Sequence, residues 1–395
     1  MLRFPSRHHR QVTLTYFGMF VGAGMTAGLL GPALPHLAAM TGSSMSQIAI
    51  LFTARALGTM IGAVSAGLLL DRLPGHRLLT GMVLLAVLGL VLAPLSVALA
   101  VLTAVVFLLG LSEVSLNTGG NTLLLWTHRE MAGPHISALH FCFGLGNMLV
   151  PLVMITAIAL TGQFHWAFWL VGLYLLALIW PLSRLASPLR QRSREGAPEE
   201  SPAKPRDAWL LAGFMLMFGL YVGTEITFAG WITTYGTLNG LSADDAAFLV
   251  SLFWLALSLG RLLAIPLLGW GSPWTMLYGC LGLGLLTALA LHALWLPLSL
   301  AVLLFGLSAS ALFPTLLSLG NQVMEMTGRN TGLIFLACGL GAMIAPSLTG
   351  PLLDLVGAQA FPLLLAGLVI LLMAALLMLR ARLTNTGVLG TTTTA

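Results

Sequence analysis

The feature that leaves this chain fewest choices is its succession of apolar runs separated by short polar connections. Each run holds about 20 residues or more, enough for a helix rising 1.5 Å per residue to cross the hydrocarbon core of a bilayer. The runs predict twelve spans, over 13–40, 46–70, 78–96, 98–124, 136–160, 166–186, 208–237, 245–270, 275–295, 298–324, 331–353 and 359–380. A membrane β-barrel would instead show short segments of alternating polarity. Composition closes the soluble alternatives. Only 7% of residues are charged and 58% are hydrophobic, whereas a soluble domain carries roughly 25% charge. The expectation is an all-α membrane protein with 12 transmembrane helices, embedded in the lipid bilayer.

The net charge of +5 reports topology. Fifteen of the 17 Lys and Arg lie in alternate connections: Arg3 to Arg10, Arg72 and Arg77, Arg129, Arg184 to Arg206, Arg329, and Arg380 with Arg382. The connections around Gly42, Ser96, Gly162, Gly240, Pro297 and Gly357 carry none. This positive-inside pattern predicts that both termini are cytoplasmic and gives no reason to expect a nucleic-acid partner. The absence of Asn-x-Ser/Thr sequons fits a bacterial inner membrane.

One polar stretch, Ser187 to Asp207, is too rich in charge and proline to bury a core. It divides the chain into an N-terminal six-helix half (1–186), a cytoplasmic linker (187–207) and a C-terminal six-helix half (208–395). The halves repeat. Gly110-Leu111-Ser112 recurs as Gly306-Leu307-Ser308, and Gly144-Leu145-Gly146-Asn147-Met148 recurs as Gly339-Leu340-Gly341-Ala342-Met343. Glu130-Met131-Ala132-Gly133 recurs as Glu325-Met326-Thr327-Gly328. An even number of spans per half makes the two pseudo-repeats parallel, a transporter plan that holds substrate between halves near midplane.

The loop Gly67-Leu68-Leu69-Leu70-Asp71-Arg72-Leu73-Pro74-Gly75-His76-Arg77, between spans 2 and 3, resembles the signature loop of the major facilitator superfamily. A narrower resemblance, to the fucose permease and sodium-dependent glucose transporter branch, rests on Glu113-x3-Asn117, Leu139-His140-Phe141, Tyr221-Val222-Gly223 with Glu225, Gly230-Trp231-Ile232 with Tyr235, and Phe253-Trp254 with Gly260-Arg261-Leu262. The resemblance implies the major facilitator fold and sugar transport. It places a coupling carboxylate at Glu113 and a polar sugar contact at His140. The span 1 Asp of fucose permeases has no counterpart between Gly28 and Pro35.

An ionisable group deep in a span costs at least about 2.5–3.5 kcal/mol and so needs a reason. Of twelve acids, only Glu113 and Glu225 fall mid-span; Arg55 and Arg261 are the mid-span cations. Glu113, Asn117 and Asn121 step four residues at a time and share one helix face. That stripe reads as a cavity lining, with an interhelical hydrogen-bond cluster as the bland alternative. His140 and Asn147 are seven apart on span 5. Sugars offer C–H faces for aromatic stacking and hydroxyls for hydrogen bonds, so Trp231, Tyr235 and Trp254 join Asn117, Asn121, His140, Asn147 and Glu225 as substrate candidates. An interfacial aromatic belt is the alternative for the tryptophans. Glycines 219, 223, 230 and 236 predict a bent or broken span 7. Asp71, Arg72, Arg77, Glu130 and Glu325 are expected to gate the cytoplasmic side, and Glu113 to couple an ion.

The expected function is secondary active transport of a monosaccharide, glucose- or fucose-like, with H+ or Na+ as cosubstrate, by a monomer. A drug or metabolite exporter of the same fold is the first rival, and a non-transporting membrane sensor the second. No metal cluster, nucleophile triad or phosphate loop is present, so neither a cofactor nor an enzyme is expected. Cys142, Cys280 and Cys338 share no motif and read as packing residues.

Overall fold

The computed structural model describes residues 6–70, 72–128, 132–188, 208–270, 272–324 and 328–385. Among them every regular element is helical: α1 (Arg7–Gly28), α2 (Leu30–Thr41), α3 (Met45–Ile48), α4 (Ile50–Leu70), α5 (Gly75–Leu92), α6 (Leu99–His128), α7 (Ala132–Thr161), α8 (His165–Ala177), α9 (Ile179–Arg184), α10 (Ala208–Leu238), α11 (Ala243–Trp270), α12 (Pro273–Ala293), α13 (Leu298–Ser310), α14 (Leu312–Val323), α15 (Gly328–Val356) and α16 (Ala360–Asn385). Eleven helical stretches are long and apolar enough to cross a membrane, and α1 with α2, bent by 43°, makes a twelfth.

Three helix breaks share one cause. Proline lacks an N–H and its ring collides with the carbonyl four residues back. Pro32, Pro181 and Pro314 stand four residues after Gly28, Ala177 and Ser310, where α1, α8 and α13 end. Span 7 is not broken. It holds glycines but no proline, and α10 runs unbroken for 31 residues. Its glycines admit neighbours.

Packing groups the chain into two units, Met1–Arg194 with Ala229–Leu255, and Glu195–Phe228 with Ala256–Ala395. In the first unit α1 crosses α7 with backbones in contact. A Cβ added to Gly24 would fall on the Phe143 carbonyl, and one on Gly146 would fall on the Val21 carbonyl. In the second unit α10 crosses α15 the same way, with Gly341 against the Gly219 carbonyl and Gly219 against Ala337. Gly24 and Gly146 correspond to Gly219 and Gly341 at a constant offset, so the repeated glycines mark one helix crossing built twice. Also in the first unit, the Ala229–Leu255 segment packs on the earlier helices: Gly31 meets the Ala229 carbonyl, Gly230 meets the Phe52 ring, and Ser251 Oγ donates to the Met148 carbonyl at 2.8 Å. Around α12 in the second unit lie α13, α14 and α16. There Phe228 stacks on Phe305 at 4.3 Å between ring centres.

Candidate functional site

The charged residues of span 2 and span 4 meet because glycine brings their helices together. Gly58 of α4 lies against the Phe107 carbonyl and Gly110 of α6 against the Arg55 carbonyl. At that crossing Arg55 donates from Nη2 and Nε to Glu113 Oε2, at 2.7 and 3.2 Å. The two side chains are 17% and 10% exposed. Bonds of this kind, charged on both sides, are about twice as strong as neutral ones. Removing one member of a buried pair costs about 3–5 kcal/mol, because the other charge is left uncompensated. Span 2's arginine therefore has a partner that no local sequence signal names; the only clue is that two opposite charges lie mid-span. Ser115 stands at the same crossing, its hydroxyl proton shared between the Leu111 carbonyl at 2.7 Å and the Gly62 carbonyl at 3.2 Å.

Down the same face of α6, Asn121 Nδ2 donates to Asn117 Oδ1 at 2.9 Å and to its carbonyl at 3.0 Å. Both amides are half-buried. The stripe read from sequence is thus a carboxylate held by a guanidinium, then two amides bonded to each other, each with capacity left for hydroxyl groups. His140 and Asn147 do not share a setting. His140 is exposed and stands edge-on to Phe20 at 6.0 Å between ring centres. Asn147 is buried at the α1–α7 crossing beside Gly28, donating to the Phe143 carbonyl at 3.1 Å.

The aromatic candidates also separate. Trp231 and Tyr235 are both fully buried, and the Trp231 ring lies 5.6 Å from Phe52. Packing occupies that ring's face. Trp254 is buried edge-on to Phe253, yet its indole Nε1–H has no hydrogen-bond partner. A buried unpaired donor costs about 1–3 kcal/mol, and a sugar hydroxyl is a fitting acceptor for it. Glu225, in the second unit, is half-buried one turn from Tyr221. The buried Tyr221 hydroxyl lies within hydrogen-bonding and electrostatic reach of Glu225 and Arg261.

Of the gating candidates, Arg72 and Arg77 are exposed, while Asp71, Glu130 and Glu325 lie outside the described residues. The neighbouring His76 was not singled out from sequence. It ties three elements: Nε2 accepts from the Tyr16 hydroxyl at 2.8 Å, and Nδ1 donates to the Leu185 carbonyl at 2.9 Å. An isolated histidine beside a basic loop gives no sign of such a role.

Twelve spans, glycine crossings repeated in two units and a polar stripe around a buried ion pair define a membrane carrier. The profile of the Major Facilitator Superfamily matches residues 15–346, and the chain belongs to that superfamily of transporters, not to an enzyme family. Sodium-dependent glucose transporter 1 of Rattus norvegicus is 32% identical over 381 residues, covering 86% of this chain and 78% of the relative. Protein TsgA of Escherichia coli is 24% identical over 363 residues, covering 89% and 90%. Among solved structures, a point mutant of the nucleoside transporter NupG shares the fold with a TM-score of 0.76, over 94% of this chain and 100% of that one, at 13% identity.

Proposed function

We propose that this chain moves a monosaccharide, glucose- or fucose-like, across a membrane by alternating access, together with H+ or Na+. The observation that carries the reading is similarity over most of both lengths to a protein named as a sodium-dependent glucose transporter. The Asn117–Asn121 row beside Glu113 supports it, since amides and a carboxylate suit hydroxyls better than they suit an apolar drug. Glu113 is the coupling carboxylate, held by Arg55 in one state and released to a cation in another. Asn117, Asn121, His140, Glu225 and Trp254 contact sugar, and Asn147, Trp231 and Tyr235 shape the wall behind them. Asp71, Arg72, Arg77, Glu130 and Glu325 form the cytoplasmic gate. The halves 1–186 and 208–395, joined by 187–207, work as a monomer in a bacterial inner membrane with both termini in the cytoplasm.

The test is a panel of labelled and competing sugars with purified protein in liposomes, run with and without Na+ and pH gradients. Saturable uptake of a monosaccharide that a cation gradient drives uphill is the expected result. Drug extrusion without sugar uptake would establish the exporter instead.

A further inference from the structure

Among the described residues three arginine guanidiniums lie over aromatic rings, and all three stand at the end of the last span of a half. In α9, Arg184 lies 5.3 Å from the centre of the Trp180 ring, one turn back on the same helix. In α16, Arg380 lies 5.6 Å from Trp274 and 5.4 Å from Tyr278, both on α12, against which α16 packs. Arg184 becomes Arg380 at the offset that relates Gly110 to Gly306. The two halves share the arginine and differ in where its ring comes from.

Exposed tryptophans fix the depth of these helix ends. Trp180 is 66% exposed, and Trp209, 5.9 Å from the Arg382 guanidinium, is 71% exposed. An indole so exposed on a membrane bundle belongs at headgroup level, where its body meets hydrocarbon and its N–H meets water. On the topology that the loop charges predict, these ends face the cytoplasm.

The charge at this depth is not neutralised. Arg184 and Arg380 are both exposed, and neither pairs with a carboxylate; the ion pair among the described residues is Arg55 with Glu113. The rings attract the guanidinium without using its N–H groups, which remain for an acceptor beyond them. Tyr278 adds a further donor, a sheltered hydroxyl with no hydrogen-bond partner. Side chains lean toward a helix's N-terminus, so this hydroxyl reaches back toward the start of α12, the end at which Arg380 stands. A fixed guanidinium with free donors matches the paired oxygens of a phosphate. At headgroup depth that phosphate belongs to a lipid. A zwitterionic headgroup brings a cation of its own, which opposes Arg380; an anionic one does not.

We propose that Arg380, held over Trp274 and Tyr278, binds the phosphate of an anionic phospholipid in the cytoplasmic leaflet. Arg184 over Trp180 is a weaker second site, with one ring and no hydroxyl. Neither depends on what the carrier moves.

The test is thermal unfolding of purified protein in a neutral detergent, titrated with phosphatidylglycerol or with phosphatidylcholine of equal chain length. A ligand that binds only the folded state raises its stability. Phosphatidylglycerol should raise the midpoint, and phosphatidylcholine and inorganic phosphate should not. Arg380→Gln should shift half-saturating phosphatidylglycerol upward about tenfold, the order of a lost charged hydrogen bond, and Tyr278→Phe about threefold, that of a neutral one. Arg184→Gln should shift it less than Arg380→Gln does. Arg10→Gln, which removes an equal charge from an exposed position of α1, should leave it unchanged. Equal responses to the two lipids, or an equal response to inorganic phosphate, would overturn the site. So would a response that survives Arg380→Gln unaltered, or an Arg10→Gln effect as large as that of Arg380→Gln, which would reduce the attraction to diffuse positive charge.

Discussion

Glu113 cannot be changed without consequence for Arg55, because the guanidinium gives two hydrogen bonds to one carboxylate oxygen. Glu113→Gln should abolish ion-driven accumulation while sparing sugar binding and some counterflow exchange. It should also lower the thermal midpoint, by the cost of a buried arginine left uncompensated, about 3–5 kcal/mol. Pairing it with Arg55→Gln should restore most of the midpoint but not the accumulation. A double variant as unstable as the single one would show that the ion pair is not the cause. The tryptophans make a second contrast. Trp254→Ala should weaken sugar binding by about 1–3 kcal/mol, as loss of a buried aromatic at a binding centre does. Trp254→Phe should recover only part, since the unpaired N–H goes with the indole. Trp231→Ala should instead cost about 3–5 kcal/mol of stability, the scale of an emptied aromatic core position, with transport falling in proportion to folded protein. Unfolding curves beside binding isotherms separate the two effects. At this scale the sequence exposed the polar stripe, because polar groups in apolar helices are few. It could not reveal that Asn147 faces a helix crossing or that Trp231 is packed away, since both depend on which neighbour covers which face.

At the scale of helices, the glycine crossings carry the architecture. Gly146→Val and Gly341→Val each place side-chain atoms where a carbonyl of the crossing helix already sits. Both should sharply reduce the yield of folded protein, and Gly81→Ala, which meets nothing within 4 Å, should be neutral. Size-exclusion profiles of the three variants provide the check. Equal behaviour of all three would mean the crossings tolerate separation. Span positions were legible because length and hydropathy fix them: span 4, expected over 98–124, is α6 over Leu99–His128. The unbroken course of α10 was not legible. Glycine permits a bend without demanding one, and tertiary packing decides between a hinge and a close approach. The three breaks behind Pro32, Pro181 and Pro314 follow from proline chemistry, yet Pro35, Pro151, Pro346 and Pro351 sit inside continuous helices. Proline position alone therefore does not announce a break.

For the molecule as a whole, the sign of the loops predicts sidedness. A tag at the N-terminus, an introduced cysteine at Pro198 and a tag after Leu389 should all be reachable only from the cytoplasm. Labelling of the position 198 cysteine by an impermeant reagent from outside intact cells would reverse the topology. The Arg55–Glu113 pair bears on how the chain is made as well as how it works. Arg55 is translated 58 residues ahead of Glu113. At about 5–20 residues per second, that interval lasts about 3–12 s. During it α4 presents an arginine to the membrane with no counter-ion, at an insertion cost of about 2.5–3.5 kcal/mol for a central position. The fourth span must therefore emerge before the second is comfortable in lipid, and the two are expected to leave the translocon as a pair. Replacing Glu113 with alanine should strand α4 at that step and send nascent chains to proteolysis, whereas replacing Arg55 with alanine should ease its entry. The carboxylate proposed here to couple an ion is, on this account, first of all a chaperone to an arginine made seconds earlier.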